Sequence, residues 1–204
     1  NDVHLIFQQL SGLAAPLTLK HLLQSPFTLH SGVLERIERE AAHARSGKPA
    51  RIIAKMNALN EPQVIRALYE ASRAGVEIDL VVRGACTLKP GIVGVSDNIR
   101  VRSIVGRFLE HHRVWWFGND GAPELYCSSA DWLERNLLRR VETAFPILDA
   151  DCAQRVRREG LLNYLADNQN AWELAADGGY RKIAAAEGEA PFSAQLSSLD
   201  GLYA

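Results

Sequence analysis

Cysteine is scarce in this sequence, and the few cysteines do not form the patterns that bind zinc or build disulfide frameworks. Only three occur, Cys86, Cys127 and Cys152, and no two of them stand in a CxxC pair. Their odd number and wide spacing argue against both a disulfide scaffold and a zinc site. A reducing compartment is the natural setting for such a chain, so we predict a cytoplasmic location.

Long apolar runs, a signal peptide and a net charge are also missing. No segment approaches the roughly 20 apolar residues of a membrane-spanning helix, so at most peripheral membrane association is expected. The 23 basic and 24 acidic residues leave a net charge of −1, which predicts no nucleic-acid partner. Any anion site must therefore come from local clusters of arginine and lysine. The chain begins with Asn1 rather than methionine, which suggests a piece of a longer protein.

The length of 204 residues suits one domain, which buries roughly 70% of the surface that the unfolded chain exposes. We predict a single domain over residues 1–204. A lead-in helix and an irregular segment occupy 1–30, an α/β core occupies 31–168, and a hairpin with a terminal helix occupies 169–204.

The segment 51–82 has the pattern of a βαβ unit. A short apolar strand at 51–55 is followed by a helix with Asn60 as its predicted N-cap and Gly75 at its end. A second apolar strand covers 76–82. Such units have parallel strands and a right-handed crossover, and their ligands bind beyond the carboxyl ends of the strands.

Polar residues stand at both of these carboxyl ends. Lys55 and Asn57 follow the first strand, and Arg83 and Gly84 follow the second. An arginine at this position favours anion binding. The alternative is that Arg83 only caps the rim of the sheet with a surface ion pair, and both interpretations remain open at this point.

The rest of the chain predicts a mixed sheet. The Gly-Asn-Asp-Gly turn at 118–121 is typical of an antiparallel hairpin, which cannot belong to a purely parallel sheet. The further predicted elements are a helix capped by Ser31, strands at 99–104, 113–117, 124–128 and 140–145, a helix at 149–167, a hairpin around 177–179, and a terminal helix that uses Phe192, Leu196, Leu199 and Leu202.

The segment 108–117 carries the most suggestive chemistry, because a histidine-bearing stretch leads directly into a buried strand. Side chains alternate between the two faces of a strand, so His111 and Arg113 should share one face and His112 the other. An imidazole transfers protons near neutral pH, and a guanidinium matches phosphate oxygens. Glu110 is expected to orient the His111 imidazole or to tune its basicity. The alternative is a surface histidine beside a strand, which spacing alone favours slightly.

Six segments together resemble the polyphosphate kinases of the phospholipase D-like superfamily. The resemblance covers nearly the whole chain and implies an α/β fold, with a phospholipase D-like mixed sheet flanked by helices and a small C-terminal appendage. The chain resembles the last domain of that enzyme. The matching segments are SPFTLH at 25–30, ARIIAKMN at 50–57, LVVRG at 80–84, IRVRSIVGRFLEH at 99–111, SSADW at 128–132 and DGGY at 177–180.

The resemblance implies reversible transfer of the terminal phosphate of ATP to inorganic polyphosphate, at a site between two similar domains. The family's phosphorylated histidine belongs to the first of these domains, which nothing here matches. His111 corresponds to the second histidine, which contacts the ATP phosphates and is the candidate catalytic residue. Arg83 corresponds to a phosphate-binding arginine, Arg140 matches another, and Arg113 is the fourth candidate phosphate ligand.

The same resemblance implies partners and a cofactor. ATP or ADP and inorganic polyphosphate are substrates, and Mg²⁺ is expected for the complete enzyme with no ligand in this chain. The upstream domains of the same polypeptide are expected partners, and the full-length enzyme is expected to be a homo-oligomer. The wider superfamily has His-x-Lys where this chain has His111-x-Arg113. A phospholipase D-like phosphodiesterase and a nucleotide- or polyphosphate-binding module without activity of its own remain the alternatives.

Overall fold

One mixed sheet organises the fold in the computed structural model, which describes residues 1–12 and 18–200. Within these residues nine strands pair in the order β1-β7-β6-β5-β2-β3-β4-β8-β9. The helices are α1 (Asp2–Leu10), α2 (Leu29–Arg45), α3 (Pro62–Arg73), α4 (Glu134–Leu138), α5 (Ala150–Arg157), α6 (Asn163–Ala166) and α7 (Ala194–Asp200). The strands are β1 (Leu23–Ser25), β2 (Arg51–Met56), β3 (Glu77–Val82), β4 (Ile99–Ile104), β5 (Arg113–Phe117), β6 (Glu124–Ser128), β7 (Glu142–Pro146), β8 (Ala171–Leu174) and β9 (Tyr180–Lys182).

Apolar residues on both faces of the sheet form the core. On one face, alternate residues of β2 and β3 such as Ile52 and Leu80 pack against α2 and α3. On the other face, Ile53 and Val81 pack against the segment that runs from α5 to α7. Because both faces are covered, the central strands are apolar almost throughout. The predicted α/β fold with a mixed sheet flanked by helices is confirmed.

The βαβ unit is confirmed, since β2 and β3 pair in parallel around α3. The predicted N-cap is wrong by one residue. Pro62 is the first helical residue, which makes Glu61 the N-cap, and its carboxylate accepts from the Val64 amide at 2.7 Å. The amide of Asn60 donates instead to the Trp132 carbonyl, which ties the start of α3 to the loop after β6.

Two other element boundaries also differ from prediction. The helix α2 begins at Leu29, with Thr28 before it, rather than after Ser31, because the Gly32 amide already donates to the Thr28 carbonyl. The strand predicted at 140–145 begins at Glu142, because the amide of residue 140 still closes the turn after α4.

A short strand replaces part of the predicted irregular lead-in. β1 pairs antiparallel with β7, with Leu23 opposite Ala144, and forms the edge of the sheet. Residues 13–17 of the predicted lead-in lie outside the described residues.

The C-terminal elements largely match prediction. The predicted helix at 149–167 is present as α5, a π-helical turn (Arg158–Leu162) and α6 in succession. The predicted hairpin is β8–β9, and the predicted terminal helix is α7, although Leu202 lies outside the described part of the chain. Among the helices of residues 1–12 and 18–200, none combines the length and apolar character that crossing a bilayer requires.

Strand directions bring several loops to one edge of the sheet. β2, β3 and β4 are parallel and end at the same edge, which we call the carboxyl edge. β5 is antiparallel to β2 and β7 runs in the same direction as β5, so both begin at this edge. The hairpin turn between β5 and β6 lies at the opposite edge. Since β4 and β5 are separated by β3 and β2, segment 105–112 crosses about 14 Å of the carboxyl edge.

Candidate active site

The carboxyl edge gathers the four site residues that the sequence predicts. Arg83 follows β3, His111 ends the crossing segment 105–112, and Arg113 opens β5. Arg140 is exposed, two residues before β7, which places it at the same edge and two strands from β5, or roughly 10 Å along the sheet. The structure therefore brings Arg83, His111 and Arg113 into one cluster and leaves Arg140 at its flank.

Arg113 and His111 are in direct contact, as the alternation of strand residues predicts. The Arg113 Nη1 atom lies 3.3 Å from the His111 Nδ1 atom and donates to the His111 carbonyl oxygen at 3.1 Å. An arginine only donates, so Nδ1 must be the accepting nitrogen, and the proton of the neutral imidazole then belongs on Nε2. The exposed His111 ring thus presents an Nε2–H group to solvent.

The orientation of Arg113 depends on Asp131. The Arg113 Nε and Nη2 atoms donate to the two Asp131 carboxylate oxygens at 3.1 and 3.2 Å, which is a bidentate pair. Asp131 is buried, and it also accepts from the Asn57 amide at 2.7 Å. Asp131 therefore holds two of the three guanidinium nitrogens of Arg113. The third, Nη1, faces His111.

The charge of the Arg83 guanidinium is not neutralised by a carboxylate of the described residues. Its Nη1 atom donates to the Glu110 carbonyl at 2.6 Å, and among the described residues no carboxylate pairs with it. The half-buried guanidinium lines a cavity of about 460 Å³ together with residues 104–110. Arg83 and Arg113 thus flank the peptide that joins Glu110 to His111, so two guanidinium groups and one imidazole converge on the same short stretch.

A buried polar layer lies directly beneath this cluster. The Lys55 Nζ atom is 2.9 Å from the Glu110 carboxylate and 4.6 Å from the centroid of the Tyr164 ring. Lys55 is only 1% exposed and Glu110 only 6% exposed. The expectation that Glu110 orients His111 is wrong, because the buried Glu110 carboxylate pairs with Lys55 and accepts from Gln195. The strand β2 places Lys55 under the crossing segment.

The pKa values in this layer follow from burial and charge. Burial by itself would raise the pKa of Glu110, but the hydrogen bond and charge of Lys55 hold it below its usual range. Burial lowers the pKa of Lys55, which Glu110 opposes. Burial, with the Lys55 charge, also lowers the pKa of His112 to about 4. His112 is therefore neutral at physiological pH, and its Nε2 atom lies 3.1 Å from the Gly160 carbonyl in the π-helical turn.

Two contributors to the site were not predicted from the sequence. Asp131 belongs to the SSADW segment. It follows the end of β6 at the carboxyl edge, and this position could have predicted a role in the site. Gln195, in α7, bonds to the crossing segment from more than 80 residues away, and no local pattern announces such a contact. Within the described ranges, no group of three or more histidine, cysteine or acidic residues is arranged to hold a metal ion.

Comparison with known proteins identifies the relatives of this chain. Residues 22–195 match the family model described as polyphosphate kinase C-terminal domain 2. A polyphosphate kinase of Xylella fastidiosa (strain Temecula1) is 68% identical over 201 residues, which are 98% of this chain and 29% of the relative. A polyphosphate kinase of Burkholderia ambifaria (strain MC40-6) is 59% identical over 198 residues, which are 97% of this chain and 28% of that relative.

A solved structure has the same fold. The crystal structure of polyphosphate kinase from Porphyromonas gingivalis aligns with a TM-score of 0.94 and 38% sequence identity, covering 99% of this chain and 31% of that chain. The chain thus spans less than a third of the length of each of these relatives.

Proposed function

The chain belongs to the polyphosphate kinase family, as a C-terminal domain, and from this premise we propose that it supplies one half of a phosphotransfer site. The proposed reaction is the reversible transfer of the terminal phosphate of ATP to inorganic polyphosphate. Its intermediate is a phosphohistidine carried by another domain of the complete enzyme, because an imidazole nucleophile divides the transfer into two easier steps.

One observation carries the proposal: Arg83 and His111 lie next to the same peptide at the carboxyl edge, and among the described residues neither forms an ion pair with a carboxylate. Arg83 reaches the Glu110 carbonyl, and His111 is oriented by Arg113 with its Nε2–H group outward. A cluster of donors around an open cavity is what an incoming triphosphate requires. Phosphoryl transfer depends more on such positioning and charge neutralisation than on covalent chemistry by the protein.

Each residue then has a separate task. In the first step the γ-phosphorus bonds to the imidazole nitrogen of the other domain, and its bond to the bridging oxygen of ADP breaks. Arg83 neutralises charge on the phosphate oxygens, and the His111 Nε2–H group donates a hydrogen bond to the departing oxygen as negative charge develops there. In the second step a terminal polyphosphate oxygen bonds to the phosphorus of the phosphohistidine, and the phosphorus–nitrogen bond breaks, which restores the free imidazole. Arg140, at the flank of the edge, binds phosphates that extend beyond this centre.

Magnesium is expected to neutralise phosphate charge in the complete enzyme. As the family resemblance implies, its protein ligands are proposed to lie in the upstream domains of the complete enzyme. The phosphodiesterase alternative requires a lysine two residues after the histidine. Here that position is Arg113, whose fork is committed to Asp131, and this contact disfavours the alternative.

The test compares the complete enzyme that carries this domain with its His111→Ala variant and with the purified 204-residue chain. Of these three proteins, we expect ATP-dependent polyphosphate synthesis only from the unmodified complete enzyme, because the variant lacks the hydrogen-bond donor of His111 and the isolated chain lacks the nucleophile. His4→Ala, which changes a histidine of α1, is the matched control and should remain active. Full turnover by His111→Ala with an unchanged circular dichroism spectrum would refute the role of His111. Chain growth by the isolated domain would refute the divided site.

A further inference from the structure

The C-terminal helix α7 reaches the crossing segment through a single buried side chain. Gln195 is 5% exposed, and its amide makes three hydrogen bonds to residues 108–110. Its Oε1 atom accepts from the Phe108 amide at 3.0 Å, and its Nε2 atom donates to the Phe108 carbonyl at 2.8 Å. The Nε2 atom also donates to the Glu110 carboxylate at 2.5 Å. Both polar atoms of the Gln195 side chain are thus used on the segment that ends in His111.

We propose that Gln195 is a positioning residue for phosphotransfer, which holds segment 106–110 so that His111 and Arg83 meet the phosphates in the correct geometry. The inference rests on the proposed function. Segment 105–112 crosses two strand ends without regular structure, so its backbone needs partners from elsewhere in the fold. Gln195 satisfies the amide and carbonyl of Phe108, in the middle of that crossing, and connects them to the buried Lys55–Glu110 layer.

Hydrogen bonds hold the N-terminal end of α7 in place, so Gln195 can support the crossing segment from a fixed position. The Asp167 carboxylate accepts from the Ala194 amide at 2.9 Å, immediately before Gln195. The Asn168 side chain accepts from the Phe192 amide at 2.7 Å and donates to the Ala190 carbonyl at 3.1 Å. A rotation of this anchored turn would move the Gln195 amide and, with it, the backbone that precedes His111.

Gly106 is an independent indication that the Gln195 amide needs the space that it occupies beside the crossing segment. A Cβ atom added at Gly106 would lie 2.5 Å from the Gln195 Oε1 atom and 2.9 Å from its Cδ atom. Only a residue without a side chain lets the amide lie against this turn. An alanine at position 106 should therefore displace the Gln195 side chain, and it should do so without touching Arg83 or His111.

This clash allows a test that separates positioning from general stability. In the complete enzyme, the turnover number for ATP-dependent polyphosphate synthesis is measured for Gln195→Ala, Gly106→Ala and the double variant, at a temperature where circular dichroism shows each to be folded. We expect each single variant to lose about tenfold or more in kcat, since small displacements of reacting groups have effects of this size. The double variant should lie within about twofold of Gln195→Ala, because both substitutions remove the same support.

The controls distinguish the possible failures. Leu196→Ala changes the exposed neighbour of Gln195 on the same helix and should retain wild-type kcat. Gln195→Met keeps the side-chain volume without the hydrogen bonds, so it tests the same point if the alanine variant does not fold, and it should also lose about tenfold. Single variants within about twofold of wild type, or losses that multiply in the double variant, would overturn the role of Gln195. An inactive wild-type enzyme, or an active His111→Ala variant, would instead refute the proposed function.

Discussion

The Lys55→Met substitution tests whether charge pairing holds the layer beneath the carboxyl edge. Lys55 is 1% exposed, and its Nζ atom has the Glu110 carboxylate at 2.9 Å and the Tyr164 ring at 4.6 Å. Methionine retains most of the apolar stem that lies along β2. The substitution therefore removes the positive charge while leaving the packing of the sheet largely as it is.

The expected loss of stability is large, because Glu110 would remain buried without its cation. Breaking a buried ion pair on one side costs about 3–5 kcal/mol. For a domain of this size, each kcal/mol corresponds to about 2–4 °C of melting temperature, so Lys55→Met should melt about 6–20 °C below wild type. Thermal unfolding of the 204-residue chain, followed by circular dichroism at pH 7.5, measures this difference.

The pH dependence of that loss has a definite sign. In the wild type, Lys55 keeps the pKa of Glu110 below its usual range, so this contribution to stability is present above the unfolded pKa and is lost as pH falls. In the variant, the Gln195 hydrogen bond is the main contact that still opposes burial, so the pKa of Glu110 should rise. The folded variant then takes up a proton more readily than the unfolded chain, so the difference in melting temperature should narrow below about pH 5.

Lys48→Met is the matched control. Lys48 pairs with Asp120 at 2.6 Å, a shorter distance than in the buried pair, but both side chains are solvent-accessible. No measurable change in melting temperature is expected, because exposed pairs contribute little. A Lys55→Met variant that melts within about 2 °C of wild type, or a difference that is the same at pH 4.5 and pH 7.5, would refute the reasoning from burial.

Two further predictions concern binding and pH. Arg83→Ala in the complete enzyme should weaken ATP binding by about 2–4 kcal/mol, or about 30- to 900-fold in Kd, whereas Arg73→Ala at the far end of α3 should not. Isothermal titration calorimetry decides this, and an unchanged Kd for Arg83→Ala would count against a phosphate contact. Because the pKa of His112 is lowered to about 4, the chain should lose stability as pH falls from about 6.5 toward 4. His112→Gln should reduce that loss in thermal melts, and an identical pH profile for wild type and variant would contradict the assignment.

Local patterns were sufficient to predict the central fold. The βαβ unit followed from the apolar strands around a helix marked by Pro62 and Gly75, and the β5–β6 hairpin followed from its Gly-Asn-Asp-Gly turn. The resemblance to polyphosphate kinases and the fold class are both confirmed. The contact between His111 and Arg113 also followed from side-chain alternation, since it depends on only three consecutive residues.

Long-range contacts account for what the sequence did not reveal. The strand β1 is only three residues long and exists because β7, more than 110 residues later, offers it an edge. Glu110 faces Lys55 because the sheet order carries segment 105–112 across the end of β2, which no pattern near Glu110 specifies. In the same way, the contact between Gln195 and Phe108 depends on how the first turn of α7 is anchored by Asp167. The roles of Arg83, Arg113 and Arg140 in binding phosphate remain predictions.

The hairpin between β5 and β6 has a practical consequence for immobilising the protein. Its turn at Asn119–Gly121 lies at the edge opposite the reacting groups, separated from them by the length of β5, or roughly 17 Å. Exposed loop tips accept inserted sequences more readily than any other part of a domain. An affinity tag inserted after Gly121 would therefore anchor the protein to a support with the carboxyl edge, and the cavity beside Arg83, facing the solution.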